Sequence, residues 1–147
     1  MGNNILLIID DGTLEEYEEY YFSIHTKAKK KPIQNPYHES INQWFIMNRP
    51  KMNALKGKWK DFIRWFVESR GYSSLHINKC EMTFVTYYRT NRRHDVDNSC
   101  PKFIIDGLVD GGLVIDDDMK HITSLTLKCG IDSDRPRTEI YITILDD

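Results

Sequence analysis

The sequence predicts an α/β (α+β) fold, in which a single mixed β-sheet has two main helices packed on it. Its 147 residues are the length of one ordinary domain. A hydrophobic fraction of 40% and a charged fraction of 29% are typical of a globular chain with a real core. Segments with strand and helix periodicity follow in the rough order β, α, β, α, β, β, β, which favours helices packed on one sheet.

Residues 1–18 are predicted to form an acidic N-terminal appendage to a domain spanning residues 19–147. The apolar run 5–9 (ILLII) predicts a short strand, followed by a turn at Asp11–Gly12. Three roles of the appendage stay open: masking a basic surface, mimicking DNA, or covering a sheet edge. Residues 20–26 (YYFSIHT) alternate well enough to predict the first strand of the domain.

The clearest helix is predicted over residues 50–70, after a loop at 27–40 that contains two prolines and a lysine cluster. Its apolar side chains recur at the i, i+3, i+4, i+7 spacing of a buried stripe. They are Met52, Leu55, Trp59, Phe62, Ile63 and Phe66. Pro50 suits a first helical turn and Gly71 a helix end. We expect the aromatic side chains to belong to the core rather than to a base-stacking platform.

The second half of the chain predicts a strand, a short helix and three further strands. Alternation in KCEMTFVTYYRT predicts a strand over residues 79–90. Residues 101–112 predict the helix, with Pro101 in its first turn, Ser99 or Cys100 as its cap and a glycine at its end. The remaining strands are predicted at residues 113–115, 121–131 and 138–145.

The charge changes sign twice along the chain, although the total is only −2. Residues 1–26 carry six acids and no lysine or arginine, a net charge of −6. Residues 27–94 carry 15 lysines and arginines against four acids, a net +11, and residues 95–147 carry five against 12, a net −7. This asymmetry points to a polyanion as the partner. The alternative is that the basic middle pairs with the acidic ends within the fold.

Cysteine usage and hydropathy predict a cytoplasmic protein without a membrane partner. Cys80, Cys100 and Cys129 are widely spaced and form neither a CxxC nor a zinc pattern, which favours reduced thiols. The longest apolar run, residues 5–9, is about a quarter of the roughly 20 residues that a membrane helix needs. It also lacks the basic region and cleavage site of a signal peptide.

The segment RRHDVDN, residues 92–98, places cations directly before two carboxylates. If the backbone there is extended, the side chains of Asp95 and Asp97 leave from the same face. Two carboxylates so close repel each other unless a cation lies between them, and Mg²⁺ prefers oxygen ligands of this kind. The spacing alone is a weak signal, because Asx-rich turns have the same composition.

Two features downstream strengthen the hypothesis of a metal site. The apolar residues 113–115 end in the acids Asp116–Asp118, and Lys102 lies at the start of a helix, where phosphate is favoured. Together they fit metal-assisted phosphodiester hydrolysis, in which Lys102 would neutralise charge developing on the phosphate or the leaving group. His94 need not act as a base, since a metal ion can activate water without one.

Residues 92–122, RRHDVDNSCPKFIIDGLVDGGLVIDDDMKHI, resemble the core motif of the RusA family of Holliday junction resolvases. That family carries D-x-D-N, a lysine on the following helix, an F/I-x-D-x-L segment, a glycine, and an apolar strand that ends in D-D. The matching positions here are Asp95 to Asn98, Lys102, Ile104 to Leu108, Gly112 and Val114 to Asp117. The interval from asparagine to lysine is one residue longer than the family pattern, with Pro101 inserted.

The resemblance implies a RusA-like homodimeric endodeoxyribonuclease that cuts four-way DNA junctions with Mg²⁺, for which Mn²⁺ can substitute. It implies catalytic and metal-binding roles for Asp95, Asp97 and Asp117, a catalytic role for Lys102, and a supporting metal-binding role for Asp116. The run of three acids leaves the register open within Asp116–Asp118, and alignment on Gly112 favours Asp117.

Basic residues in and before the motif are predicted to contact the DNA backbone. They are Arg89, Arg92, Arg93, Lys58, Lys29, Lys30 and Lys31. The arginines could instead pair locally with the aspartates, and the lysines at 29–31 could equally belong to a solvated loop. Two alternatives to a junction resolvase also stay open: a catalytically inactive module that binds branched DNA, and a nuclease of the same fold that acts on other branched or flap DNA.

Overall fold

The computed structural model describes residues 3–146, and its centre is a mixed four-stranded sheet. The strands are β1 (Asn4–Asp10), β2 (Cys80–Tyr88), β3 (Ile122–Ile131) and β4 (Arg137–Ile144), in the spatial order β1-β4-β2-β3. β4 pairs antiparallel with both β1 and β2, whereas β2 and β3 run parallel. The predicted single mixed sheet with helices packed on it is therefore confirmed.

Four α-helices accompany the sheet: α1 (Asp11–Ile24), α2 (Ile41–Trp44), α3 (Arg49–Ser69) and α4 (Lys102–Asp110). Four residues of the predicted apolar stripe of α3, Trp59, Phe62, Ile63 and Phe66, lie in the core at no more than 1% exposure, and the other two, Met52 and Leu55, are partly buried against it. α3 packs closely on α4, because Gly107 leaves room for the side chain of Ile63. Within residues 3–146 none of the helices has the length and apolar character needed to cross a bilayer.

The predicted turn at Asp11–Gly12 and the predicted strand over residues 20–26 are wrong, because the first lies in α1 and the second lies in α1 up to Ile24. Asp10 caps this helix: its carboxylate accepts from the backbone N–H of Thr13 at 3.0 Å, and the Thr13 hydroxyl accepts from the N–H of Asp10 at 3.2 Å. Such reciprocal capping starts a helix where an Asp-Gly pair alone would predict a turn. Tyr17 then packs on Phe62, which gives α1 a buried face.

Residues 4–10 are part of the sheet. β1 pairs with β4 along its whole length, and Leu7 and Ile9 lie in the core. The predicted boundary after residue 18 falls inside α1. Of the roles considered for this segment, β1 does cover the edge of β4, and acids at its end and beyond it pair with basic side chains. These pairs are Asp10 with Arg135, Asp11 with Arg89 and Glu16 with Arg70.

The second half of the chain follows its prediction closely, with two differences. The strand predicted at 113–115 is reduced to one bridge between Val114 and Ile77. α4 begins at Lys102, with Pro101 at the cap position, so neither Ser99 nor Cys100 caps it as predicted. A proline at this position leaves the first turn of α4 to be capped from elsewhere in the fold.

Candidate active site

Lys102 lies between two carboxylates at the start of α4. Its Nζ is 2.9 Å from Oδ1 of Asp106, one helical turn later, and 3.5 Å from Oδ2 of Asp117. The hydrogen bond that Lys102 donates to Asp106 raises the pKa of Lys102, and Asp117 adds to the effect. The ammonium is therefore held in its charged form at neutral pH and aimed at the loop that carries Asp117.

The cluster opens into a cleft of about 330 Å³ between α3 and α4. α3 contributes Lys56 and Lys60 to its wall, one helical turn apart, and Lys60 lies 4.0 Å from the carboxylate of Asp110. The sequence prediction named Lys58 instead, which does not line this cleft. The i, i+4 spacing of Lys56 and Lys60 on the helix is the signal that could have found them.

The three consecutive acids have different contacts. The carboxylate of Asp116 accepts from the backbone N–H of Asp117 at 2.7 Å. That of Asp118 accepts from the backbone N–H groups of Lys120 and His121 at 3.0 and 3.2 Å. Asp117 is the acid of the three that contacts Lys102. These contacts favour Asp117, among the three acids, as the one that matches the aspartate of the family motif. Asp116 lines the same cleft.

Asp97 lies in a 3₁₀ helix and Asp95 is the extended residue just before it (φ −90°, ψ 132°), so the condition that an extended backbone places both side chains on one face is not met. Val96–Ser99 forms a 3₁₀ helix, closed by the N–H of Asn98 on the carbonyl of Asp95 at 3.0 Å. The hydroxyl of Ser99 donates to the carbonyl of Val96 and tightens the turn. Asp95 pairs with Arg93 at 3.4 Å, and neither aspartate lines the Lys102 cleft.

The carboxylate oxygens in the cleft are the type of ligand that a hard divalent cation prefers. Within residues 3–146 no three His, Cys, Asp or Glu side chains lie close enough together to form a metal-binding group. Asp106 and Asp117 nevertheless share one cation, the Lys102 ammonium, and the buried Oδ2 of Asp106 has no hydrogen-bond partner in the described chain. Mg²⁺ usually takes only one or two carboxylates and completes its shell with water and phosphate oxygens.

The arginines predicted to bind DNA differ in what they contact. Arg89 forms two hydrogen bonds of 3.0 Å to the carboxylate of Asp11, and Arg93 pairs with Asp95. Arg92 forms no ion pair with any residue between 3 and 146, and the same holds for the predicted lysines Lys29, Lys30, Lys31 and Lys58. Of the three arginines, Arg92 is therefore the one whose guanidinium has no carboxylate partner in the described part of the chain.

His38 is a buried residue of this region that sequence reasoning did not connect with the site. Its Nε2 accepts from the backbone N–H of Phe103, the second residue of α4, at 3.0 Å. Its Nδ1 lies 2.6 Å from the carbonyl oxygen of Glu39. Burial lowers the pKa of His38 to about 4. The cap that α4 lacks locally therefore comes from the loop that precedes α2.

No protein-family model matches this chain, and no curated protein is significantly similar to it. The likeness to the RusA family consequently rests on the residues of the 92–122 motif. What the geometry adds is a lysine between two carboxylates at a helix start, beside a lysine-lined cleft.

Proposed function

We propose that this protein is a Mg²⁺-dependent, structure-selective DNA endonuclease that resolves four-way (Holliday) junctions by metal-assisted phosphodiester hydrolysis. The observation that carries the proposal is the contact of Lys102 with both Asp106 and Asp117 in a cleft lined by Lys56 and Lys60. Carboxylates beside lysines suit a phosphate and its counter-cation. The junction as substrate is supported by the likeness of residues 92–122 to the RusA motif.

In this proposal Asp117 would hold Mg²⁺ or Mn²⁺ with Asp116 in support, and Asp95 and Asp97 would complete the site by a movement of residues 95–97 toward the cleft. Such an ion supplies charge neutralisation at the phosphate and activation of water at neutral pH. The ion pair of Asp95 with Arg93 is exposed, and a pair of that kind contributes at most about 1 kcal/mol. Asp95 can therefore exchange this partner for another cation at little cost.

Lys102 would donate hydrogen bonds to the phosphate or leaving oxygen, where negative charge develops during hydrolysis. A preorganised donor of this kind acts without reorganisation during the reaction. Asp106 and Asp117 hold the ammonium in place. Lys56, Lys60 and Arg92 would bind flanking phosphates, which positions the substrate without reading its sequence.

The proposed assembly is a homodimer on branched DNA in the cytoplasm. A four-way junction has two-fold symmetry, so a symmetric dimer can place one site on each of two opposing strands. Cleavage of the two strands by paired sites would resolve the junction.

A second candidate is a catalytically inactive module that binds branched DNA. It is favoured by one observation: Asp95 and Asp97 lie outside the cleft that contains Lys102, and no three-ligand group forms within residues 3–146. A nuclease acting on three-way or flap DNA shares the same site and differs only in its substrate.

Cleavage of a labelled four-way junction in Mg²⁺ separates these functions. We expect wild type to cut, and Asp97→Asn and Asp117→Asn to lose cleavage but keep or tighten binding measured in EDTA, because a repulsive charge is removed. Asp118→Asn is the matched control, since its carboxylate contacts backbone N–H groups.

Equal cleavage by wild type and Asp97→Asn would contradict the metal site. Binding without cleavage in either Mg²⁺ or Mn²⁺ would favour the inactive module. Faster cleavage of three-way or flap DNA than of four-way junctions would favour the other nuclease.

A further inference from the structure

His38 is a buried polar side chain that the proposed chemistry does not use. It is 5% exposed and lies in the loop between α1 and α2. A carbonyl oxygen can only accept and a backbone N–H can only donate. The contacts with Glu39 and Phe103 therefore require the neutral imidazole with its proton on Nδ1. A second proton would place the N–H of Nε2 against the N–H of Phe103.

The ring is held in this orientation by packing on both sides. It stacks on Trp59 of α3 with 5.6 Å between ring centroids and 12° between planes, and its centroid is 5.0 Å from that of Phe103. Oε1 of Glu39 accepts from the indole N–H of Trp59 at 2.8 Å, which fixes the residue whose carbonyl orients the imidazole. His38 therefore has one position relative to both α3 and α4.

α4 depends on this contact because it has no side-chain cap of its own. Pro101 occupies the cap position and offers no side-chain acceptor, while the first backbone N–H groups of a helix lack partners within it. Phe103 is buried, so water does not readily replace a missing acceptor for its N–H. The hydrogen bond to His38 thus fixes the turn on which Lys102 stands.

We infer that His38 is a positioning residue for Lys102: its imidazole holds the first turn of α4 so that the Lys102 ammonium lies between Asp106 and Asp117. The catalytic meaning of this inference rests on the proposed function. The placement of Lys102 by His38 does not, because it is a property of the folded chain.

Three variants separate the hydrogen bond from packing and general stability. His38→Phe keeps an aromatic ring between Trp59 and Phe103 but has no acceptor. His38→Gln restores an acceptor near the position of Nε2. Ser40→Ala is the control, since it removes a capping bond in the same region, from Gln43 N–H to the Ser40 hydroxyl, without contacting α4.

The first measurement is NMR of the metal-free, DNA-free protein. We expect a coupling across the hydrogen bond between the Phe103 amide and His38 Nε2 in wild type. We also expect helical carbon shifts at residues 102–103 and a nuclear Overhauser contact from the Lys102 side chain to Asp117. His38→Phe should lose the helical shifts at residues 102–103 and the Lys102–Asp117 contact, while Leu108 keeps its helical shifts. His38→Gln and Ser40→Ala should keep both the shifts and the contact. An absent coupling in wild type, or unchanged shifts and contact in His38→Phe, would overturn the inference.

The second measurement is a double-mutant cycle on junction cleavage with Lys102→Met. We expect His38→Phe to lower kcat at least tenfold with little change in KM, His38→Gln to restore most of it, and His38→Phe to add no further loss in the Lys102→Met background. Additive losses would show that His38 does not act through Lys102. If wild type cuts no DNA, the proposed function fails, whereas the NMR measurement still decides the role of His38.

Discussion

The two halves of the 92–122 motif are held very differently. Lys102 at the start of α4 is fixed by Asp106, Asp117 and the His38 cap on the following residue. Residues 92–98 carry Arg93 with a side chain that is 90% exposed, and its partner Asp95 is about half exposed. We call the first the preassembled half, and we call residues 92–98 the adjustable half, because their charged side chains make few contacts although His94 stacks on Tyr88. We expect substitutions in the first half to act on chemistry and stability, and substitutions of the arginines in the second half to act on binding.

The largest expected effect comes from removing the Lys102 ammonium. Lys102→Met keeps the length of the side chain and deletes the charge, so we expect the junction cleavage rate to fall by about 10²–10³-fold, as when one preorganised donor is lost. Binding in EDTA should change little. Lys120→Met is the charge-matched control outside the cleft. Equal cleavage by Lys102→Met and the control would show that cleavage does not need the Lys102 ammonium.

The second effect is a loss of stability in acid through His38. Its pKa in the folded protein, about 4, is below the ordinary value of 6.5, so between these values the unfolded chain binds the proton and the folded chain does not. The free energy of unfolding should therefore fall as pH drops from 6.5 to 4, by about 3 kcal/mol at most. Above pH 6.5 the contribution of His38 should not change with pH.

Urea unfolding of wild type and His38→Phe between pH 4 and 8 tests this loss. Burial raises the pKa of the neighbouring Glu39, which acts in the opposite direction, since its protonation favours the folded state. Both proteins contain Glu39, so the difference between them reports His38. Parallel pH profiles for the two proteins would contradict the neutral buried imidazole.

A third effect tests how firmly α4 is packed on α3. A Cβ at position 107 would lie 2.5 Å from Cβ of Ile63, which is fully buried. We expect Gly107→Ala to lower the free energy of unfolding in urea by about 1–3 kcal/mol, as is usual for overpacking. Gly57→Ala in α3 meets nothing within 4 Å and should instead stabilise by about 0.5–1 kcal/mol, because alanine is the better helix former. Equal stabilisation by both changes would mean that α4 can shift.

The fold was predictable where periodicity and burial agree. Residues 50–70 and 79–90 each have one apolar face, and both faces lie in the core. The strand prediction for residues 20–26 was wrong because their adjacent aromatic side chains resemble the alternation of a strand. The helix that forms instead is set by the Asp10 cap and by the packing of Tyr17 on Phe62. A cap formed by one side chain leaves no periodic signal.

The site was predictable only in part for a similar reason. The contact of Lys102 with Asp117 agrees with the resemblance, which placed both residues in one site. The sequence prediction did not include His38, which is 65 positions from Phe103 in the chain, and no local pattern relates the two. It predicted that Arg89 contacts DNA or pairs with the nearby aspartates of the motif, whereas its partner Asp11 comes from a segment predicted to lie outside the domain.

The smallest expected effect separates Arg92, which lies in the adjustable half, from Arg89, which precedes the motif. Arg92 has no ion-pair partner within residues 3–146, whereas Arg89 forms two hydrogen bonds with Asp11. We expect Arg92→Ala to weaken junction binding in EDTA and to reduce the slope of log K against log salt concentration by about one, as for loss of one phosphate contact. Arg89→Ala should leave that slope nearly unchanged and cost at most about 1 kcal/mol of stability. If Arg89→Ala lowers the slope as much as Arg92→Ala does, DNA must displace Asp11, and the acidic N-terminal segment would then compete with the substrate for the basic surface.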